Sequence, residues 1–179
     1  RVPQPFGCFE GVLLMELITD GEGEVAPRLN DVIMPSEHAI EDHLIMMNYV
    51  KIMLCVGVIH GDLSEFNVLV DEYGPVIIDL PQAVDASANN NAKSMLVRDV
   101  NNITDYYAQF APELAKSKYA QEMWALYEKA ELTPETELTG LFKENNKSAN
   151  VDTILEEIKA AFEEEQERLE RISDAQESD

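Results

Sequence analysis

Three residues with metal-binding or proton-accepting side chains, Asp62, Asn67 and Asp79, surround two short apolar runs in the chain. The runs occupy residues 68–70 and 76–78, and the turn-forming sequence Glu-Tyr-Gly-Pro between them predicts a β-hairpin. Because a hairpin brings its two outer ends together, Asn67 and Asp79 should face each other. An amide oxygen and a carboxylate at one point make a hard-oxygen site suited to Mg²⁺.

Asp62 lies in a short polar loop that leads into this hairpin. At that place its carboxylate would be free to accept a proton or to orient a hydroxyl group. A magnesium site, a nucleotide and a positioned acceptor are the parts that phosphoryl transfer requires. The residue types and their spacing therefore indicate this class of chemistry.

The stretch from His60 to Asn67 reads HGDLSEFN, which resembles the H-R-D-L-x-x-x-N catalytic loop of protein kinases with glycine in place of arginine. This loop, MELI at 15–18 and IIDLPQAVD at 77–85 together resemble the RIO-type atypical serine/threonine kinases. The stretch RDVNNITDYY at 98–107 resembles the RIO helix beyond the metal loop. The resemblance implies an α+β fold, namely a mainly helical protein-kinase-like C-lobe with a small β-hairpin and without the N-lobe.

The resemblance also implies roles for individual residues in a reaction that uses ATP and Mg²⁺. Asp62 would be the catalytic aspartate, and Asn67 and Asp79 would bind the magnesium ion. In RIO proteins the metal-loop aspartate is associated with a phospho-aspartate intermediate, so Asp79 is also a possible phospho-acceptor. The backbone of Glu16 and Ile18 would meet the adenine of ATP, and Ser64 would assist at the phosphates.

Kinases also need a phosphate-binding loop, a strand lysine and a helix glutamate, and none of these precedes Val12. We therefore expect the chain to begin inside a longer protein whose N-lobe lies upstream. This portion alone would then bind ATP poorly and transfer phosphate slowly or not at all.

Apolar spacing and turn signals divide the chain into three predicted segments. Residues 1–36 would form a hinge strand and a flexible segment, with a buried strand in the apolar run at 12–18. Residues 37–145 would form the kinase-like C-lobe with the catalytic and metal loops. Residues 146–179 would form an acidic amphipathic helix, at 151–172, and a disordered tail.

Within the predicted C-lobe, Ser36 would cap a long helix at about 37–56 that ends at Gly57. Further helices are predicted at 92–110 and at 112–130, and another begins at Thr133. The histidines divide by environment: His60 would be a structural hydrogen-bonding residue of the loop, whereas His38 and His43 would lie on the surface.

Composition excludes several other classes of protein. The formal net charge of -22 argues against direct nucleic-acid binding, which needs clustered lysine and arginine. No apolar run approaches the ~20 residues of a membrane helix. The two cysteines lack the spacing of a zinc site or a disulfide framework, which favours a reducing, cytoplasmic location.

Two alternatives to a RIO-type kinase stay open from the residues. A small-molecule kinase of the aminoglycoside or choline type shares the HGD motif, although the residues at 64–66 and 80–82 differ from the usual pattern of such enzymes. A non-catalytic interaction module would instead dock a partner through the C-terminal helix. The sequence does not reveal a protein substrate, and the family resemblance suggests a ribosome-related partner.

Overall fold

The computed structural model describes residues 1–142, which form a small α+β fold. Its helices and strands are β1 (Pro5–Phe9), β2 (Val12–Met15), α1 (Ser36–Cys55), β3 (Val58–Ile59), β4 (Val68–Asp71), β5 (Gly74–Ile77), β6 (Val84–Asp85), α2 (Ala92–Tyr107) and α3 (Tyr119–Glu128). Within the described part, the strands form three antiparallel pairs: β1 with β2, β3 with β6, and β4 with β5. No helix of this part is long and apolar enough to cross a bilayer.

The core lies between α1, α2 and α3, so the helices carry most of the burial, as the small size of the sheets requires. Met46, Met47 and Leu54 of α1 are fully or almost fully buried, and Ile103 and Tyr107 of α2 pack in the same cluster. Met46 and Met47 have flexible side chains that suit such core filling.

The long predicted helix is confirmed with a shift of one residue at each end. Ser36 is its first residue and Pro35 is in the N-cap position, with no side-chain capping hydrogen bond. The predicted capping role of Ser36 was therefore wrong, because the residue lies inside the helix. Gly57 follows the helix with a φ of 78°, a conformation that glycine adopts at little cost.

The central hairpin forms as predicted. Val68 pairs with Ile77 and Asp71 pairs with Gly74, which leaves Asn67 and Asp79 just outside the paired strands. The N–H of Ile78 donates to the carbonyl of Asn67 at 3.0 Å, so the two ends of the hairpin are held together. The sequence predicted one hairpin, and the structure adds the β1–β2 pair and the short β3–β6 pair.

The prediction of a buried strand at 12–18 was wrong. Strand β2 is shorter, and all four of its residues are exposed, with Val12 at 69% and Leu13 at 52% exposure. Its only hydrogen-bonded neighbour among the described strands is β1, in a two-stranded sheet. A continuous apolar run predicts the strand but not whether another layer covers it.

Two helix predictions after residue 110 also differ from the structure. The stretch 112–130 is divided, because Ser117 is extended between a 3₁₀ turn at Pro112–Lys116 and helix α3. The described residues from Thr133 onward contain no helix; the N–H of Thr133 instead donates to the hydroxyl of Thr136 at 2.9 Å and closes a turn. The predicted helix at 151–172 lies outside the described residues.

His43 is buried rather than on the surface, which corrects the sequence-based prediction. Its Nε2 lies 2.9 Å from the hydroxyl of Thr104, and its ring packs against Tyr107 and Tyr119. Burial lowers the pKa of His43 to about 4, so the ring is neutral at pH 7. A neutral imidazole with a hydrogen-bond partner is a tolerable core residue.

Candidate active site

The candidate site lies on a loop whose backbone is held by side chains of α2. The Asp99 carboxylate, which is 1% exposed, accepts the N–H of Gly61 at 2.7 Å and the N–H of Leu63 at 3.2 Å. Burial raises the pKa of Asp99, and these two N–H groups act in the opposite direction. The carboxylate therefore holds the backbone on both sides of Asp62.

Two further α2 side chains hold the carbonyl groups of the same two residues. The Arg98 guanidinium donates to the carbonyl of Gly61, and the Asn102 amide donates to the carbonyl of Leu63 at 3.0 Å. We call Arg98, Asp99 and Asn102 the α2 clamp. The clamp binds all four backbone polar groups of the residues that flank Asp62 and leaves the Asp62 side chain exposed. The orientation of this side chain thus depends on a helix more than thirty residues further along the chain.

Gly61 is required by the space around it. Its φ is +84°, and a Cβ atom would lie 2.6 Å from the carbonyl oxygen of Gln82 and 2.9 Å from the Cε of Met95. Both the conformation and the contact exclude a side chain. The arginine that ordinary kinases carry at this position therefore does not fit here.

His60 is a structural hydrogen-bonding residue of the loop, as predicted, and the structure shows that it also connects the loop to the hairpin. Its Nε2 lies 3.0 Å from the carbonyl of Ile78, and its Nδ1 accepts the N–H of Asp62 at 3.3 Å. Since a carbonyl can only accept, Nε2 carries the proton and the ring is the Nε2–H tautomer. The residue is 2% exposed and acts as a structural link between the loop that carries Asp62 and the end of the hairpin before Asp79.

Hydrogen bonds connect Asn67 to Asp62 and to the residue that precedes Asp79. The side-chain amide of Asn67 donates to the backbone carbonyl of Asp62 at 2.8 Å, and the backbone carbonyl of Asn67 accepts the N–H of Ile78, the residue before Asp79. The Gln82 amide, from the turn after Asp79, lies 3.3 Å from the Asp62 carboxylate. Asp79 is exposed and has a φ of 65°, a strained conformation that aspartate tolerates better than most residues.

The two predicted metal ligands, Asn67 and Asp79, are of a kind and number that suit Mg²⁺. The described residues contain no group of three or more histidine, cysteine, aspartate or glutamate side chains that could hold a metal. Asn67 donates through its side-chain nitrogen, and no hydrogen bond to its amide oxygen is described, so that oxygen is available as a ligand. Mg²⁺ is commonly bound by one or two protein groups, with substrate phosphates and water supplying the rest. The donor set fits that ion.

The remaining predicted residues lie in different surroundings. Ser64 is half-buried in the loop, and its carbonyl accepts the N–H of Asn67 at 3.0 Å. Glu16 exchanges hydrogen bonds with Gln4, through its N–H at 2.9 Å and its carboxylate at 3.0 Å. Ile18 is buried, and its carbonyl accepts the N–H of Ala26 at 3.0 Å. The hydrogen bonds described for Glu16 and Ile18 therefore do not run to the loop that carries Asp62.

Ile18 nevertheless connects this segment to the hairpin by packing. It forms a small cluster with Ala26, Val76 and Leu69, and the last two belong to the strands that position Asn67 and Asp79. Ile18 thus packs on the same hairpin whose ends carry the predicted metal ligands.

The α2 clamp was missed by reasoning from single residues. A signal was present, because Asp99 interrupts the apolar series Leu96, Val100 and Ile103 on one helical face. A carboxylate on a buried face needs hydrogen-bond donors. The sequence alone does not reveal that these donors are the backbone groups beside Asp62.

The small α+β fold is consistent with the family that a comparison of the sequence identifies. A family model described as "RIO domain" matches residues 1–132, and the chain belongs to this family. Relatives with the same family name include the RIO-type serine/threonine-protein kinase Rio1 of Haloferax volcanii, which is 33% identical over 107 residues, covering 60% of this chain and 36% of the relative.

Two further relatives show the breadth of the similarity. The RIO-type serine/threonine-protein kinase Rio2 of Methanocaldococcus jannaschii is 37% identical over 112 residues, covering 62% of this chain and 40% of the relative. The human serine/threonine-protein kinase RIO1 is 33% identical over 107 residues, covering 59% of this chain and 18% of the relative. The matches span 40% or less of the length of these relatives, which are named as kinases.

Proposed function

We propose that the chain is the catalytic C-lobe portion of a RIO-type serine/threonine kinase that transfers the γ-phosphoryl group of ATP with the help of Mg²⁺. The observation that supports this best is the pair of hydrogen bonds that tie Asn67 to the backbone of Asp62 and to Ile78, the residue before Asp79. An ATPase that passes through a phospho-aspartate on Asp79 is the variant of this proposal that uses the same residues.

In this reaction Asp62 orients the acceptor hydroxyl and receives its proton. The hydroxyl oxygen forms a bond to the γ-phosphorus, the bond from that phosphorus to the β–γ bridging oxygen breaks, and ADP leaves. The α2 clamp supports this role because it fixes the backbone of both neighbours of Asp62 while the carboxylate stays exposed. Such fixed positioning is a large part of what an enzyme supplies in phosphoryl transfer.

Asn67 and Asp79 would hold the magnesium ion through the amide oxygen and the carboxylate. Bound there, the ion would neutralise charge on the phosphate groups. Ser64, between Asp62 and Asn67, would offer its hydroxyl to a phosphate oxygen. In the phospho-aspartate variant, an Asp79 carboxylate oxygen attacks the γ-phosphorus, ADP leaves, and water then hydrolyses the acyl phosphate.

The backbone of Glu16 and Ile18 would recognise the adenine. Because the N–H of Glu16 donates to Gln4, its carbonyl is the group left to accept from the adenine amine. Because the carbonyl of Ile18 accepts from Ala26, its N–H is the group left to donate to a ring nitrogen. One acceptor and one donor of this kind match the adenine edge.

The physiological acceptor would be a protein hydroxyl, and by analogy with the family a ribosome-related partner is the proposed context. A small-molecule acceptor is the alternative. Parallel assays of protein and aminoglycoside acceptors with radiolabelled ATP would distinguish the two.

The proposal is tested by calorimetric titration of Mg²⁺-ATP into the complete natural polypeptide and into its Asp79→Asn variant. Loss of a magnesium ligand should weaken binding by about tenfold or more. Asp105→Asn, an exposed aspartate of α2 without a described partner, is the matched control and should bind normally. Equal Mg²⁺-ATP binding by all three proteins, or none by the unaltered one, would contradict the proposal.

A further inference from the structure

Residues 131–142, which we call the strap, follow α3 without regular secondary structure and pass α1. The matched RIO domain ends at residue 132, so nearly all of the strap lies beyond it. Its middle is fixed by Lys51 of α1, whose ammonium group donates to the carbonyl of Thr136 at 2.8 Å. Lys51 is only 5% exposed, so it acts as an internal connection between the helix and the strap.

The far end of the strap is fixed by α3. The Glu122 carboxylate accepts the N–H of Thr139 at 3.0 Å and the N–H of Gly140 at 2.8 Å. The carbonyl of Gly140 accepts the N–H of Lys118 at 2.8 Å. The strap is therefore attached at two separate points, and the stretch between them keeps a defined distance from α1.

A cavity of about 380 Å³ lies between α1 and the strap, within the size range of ligand pockets. Leu44 and Met47 of α1 and Leu138 of the strap supply apolar surface to it. Leu44 is 48% exposed although it follows the apolar spacing of α1, so this helical position is open to solvent beside the strap. An apolar side chain from another molecule would bury that surface.

The charge around the cavity is negative. Glu135 and Glu137 line it, both are exposed, and neither has a hydrogen bond or ion pair among the described residues. Lys51 also lines the cavity, but no carboxylate of the described part lies within 4.0 Å of its ammonium group, so it forms no ion pair with either glutamate. A cationic group on the occupant would complement the two glutamates, whereas an anionic occupant would be repelled.

We propose that this groove docks a short extended peptide segment of a partner protein, in which one apolar side chain is flanked by lysine or arginine. The apolar side chain fills the cavity against Leu44, Met47 and Leu138, and the basic residues pair with Glu135 and Glu137. The net charge of -22 attracts such a segment over longer distances. The groove lies outside the catalytic and metal loops, so the inference does not depend on the proposed kinase activity.

The test uses the full 179-residue chain and a fluorescein-labelled probe peptide with the sequence Gly-Lys-Leu-Arg-Lys-Gly. Fluorescence anisotropy at about 0.15 M salt should show saturable binding, because screening at that ionic strength suppresses distant charge attraction. A Glu135→Gln, Glu137→Gln variant should bind about tenfold more weakly, equivalent to two modest charge contacts. The matched control is Glu128→Gln, Glu131→Gln, which removes the same charge from exposed residues outside the cavity.

The apolar half of the proposal has its own pair of variants. Leu44→Ser should weaken the peptide severalfold, whereas Ile52→Ser, an exposed α1 residue that does not line the cavity, should leave binding unchanged. A probe with serine in place of leucine should likewise bind more weakly to the unaltered chain. Circular dichroism of each variant establishes that the fold is retained.

Three results would overturn the proposal. The first is no saturable binding up to about 1 mM peptide. The second is an equal loss in both double glutamate variants, which would mean general attraction to an acidic chain. The third is equal binding of the serine probe or of spermine, which would mean that the cavity is not used.

Discussion

The Asp99 carboxylate accepts the N–H of Gly61 at 2.7 Å, so a buried charge in α2 fixes the residue that immediately precedes Asp62. Gly61 and Asp99 are separated by 38 positions in the sequence. The same carboxylate holds Leu63 on the other side. The geometry of the candidate catalytic loop is therefore a property of the helical core.

Replacing Asp99 with asparagine should weaken this attachment. The amide has one acceptor oxygen, and its NH₂ group would face an N–H donor, so one buried donor loses its partner. We expect the free energy of unfolding to fall by about 1–3 kcal/mol in urea titrations. Asp105→Asn, exposed on the same helix, should change it by less than about 0.5 kcal/mol. Equal stabilities for the two variants would show that the clamp contributes little.

Replacing Gly61 with alanine should lower the free energy of unfolding more than the same change at Gly57. Both glycines have φ near +80°, so the left-handed conformation should destabilise each alanine variant by about 1–2 kcal/mol. Only at Gly61 does the new Cβ meet other atoms, at 2.6 Å from the Gln82 carbonyl, whereas nothing lies within 4 Å at Gly57. We expect a further loss of about 1–3 kcal/mol at Gly61, measured by urea denaturation. A similar loss at both positions would refute the close contact.

The adjacent tyrosines of α2 should respond differently to removal of the hydroxyl. The Tyr106 hydroxyl donates to the carbonyl of Leu29 and also lies 3.0 Å from that of Val32, whereas the buried Tyr107 hydroxyl has no described partner. Tyr106→Phe should therefore lower the melting temperature by an amount equivalent to about 1–2 kcal/mol. Tyr107→Phe should leave it unchanged or raise it. The reverse order would mean that the two hydroxyl environments are wrongly assigned.

His43 should make stability depend on pH. Burial lowers the pKa of His43 to about 4 in the folded chain, against about 6.5 for an unfolded histidine. Between these values the unfolded state binds more protons, so the stabilisation is fully present above pH 6.5 and is lost as the pH falls towards 4. Of the total loss of stability, about 3 kcal/mol should come from this residue. Urea titrations at several pH values should show that the free energy of unfolding changes less steeply with pH in His43→Gln than in the unaltered chain. The same dependence on pH in both proteins would exclude the effect.

Local patterns predicted the parts of the site that lie close together in the sequence. The hairpin follows from two apolar runs and a turn, so Asn67 and Asp79 were expected to meet, and the hydrogen bond from Ile78 to Asn67 closes that end. His60 was also expected to be a structural hydrogen-bonding residue of the loop.

Long-range relationships were not predictable from those patterns. The partners of Asp99 come from a distant loop, and the burial of His43 depends on Thr104, 61 positions away. The exposure of Val12 depends on the presence of a covering layer, about which an apolar run carries no information. A predicted helix at Thr133 failed because the chain there forms hydrogen bonds to the side chains of Lys51 and Glu122 instead.

The central claim is that Asp62 serves the acceptor hydroxyl in phosphoryl transfer. The most direct measurement is single-turnover transfer from radiolabelled ATP in the complete natural polypeptide, comparing Asp62→Asn with Glu65→Gln in the same loop. The account predicts that Asp62→Asn slows transfer by about a hundredfold or more while Mg²⁺-ATP affinity stays within about twofold, and that Glu65→Gln remains close to normal. Undiminished transfer by Asp62→Asn would contradict it.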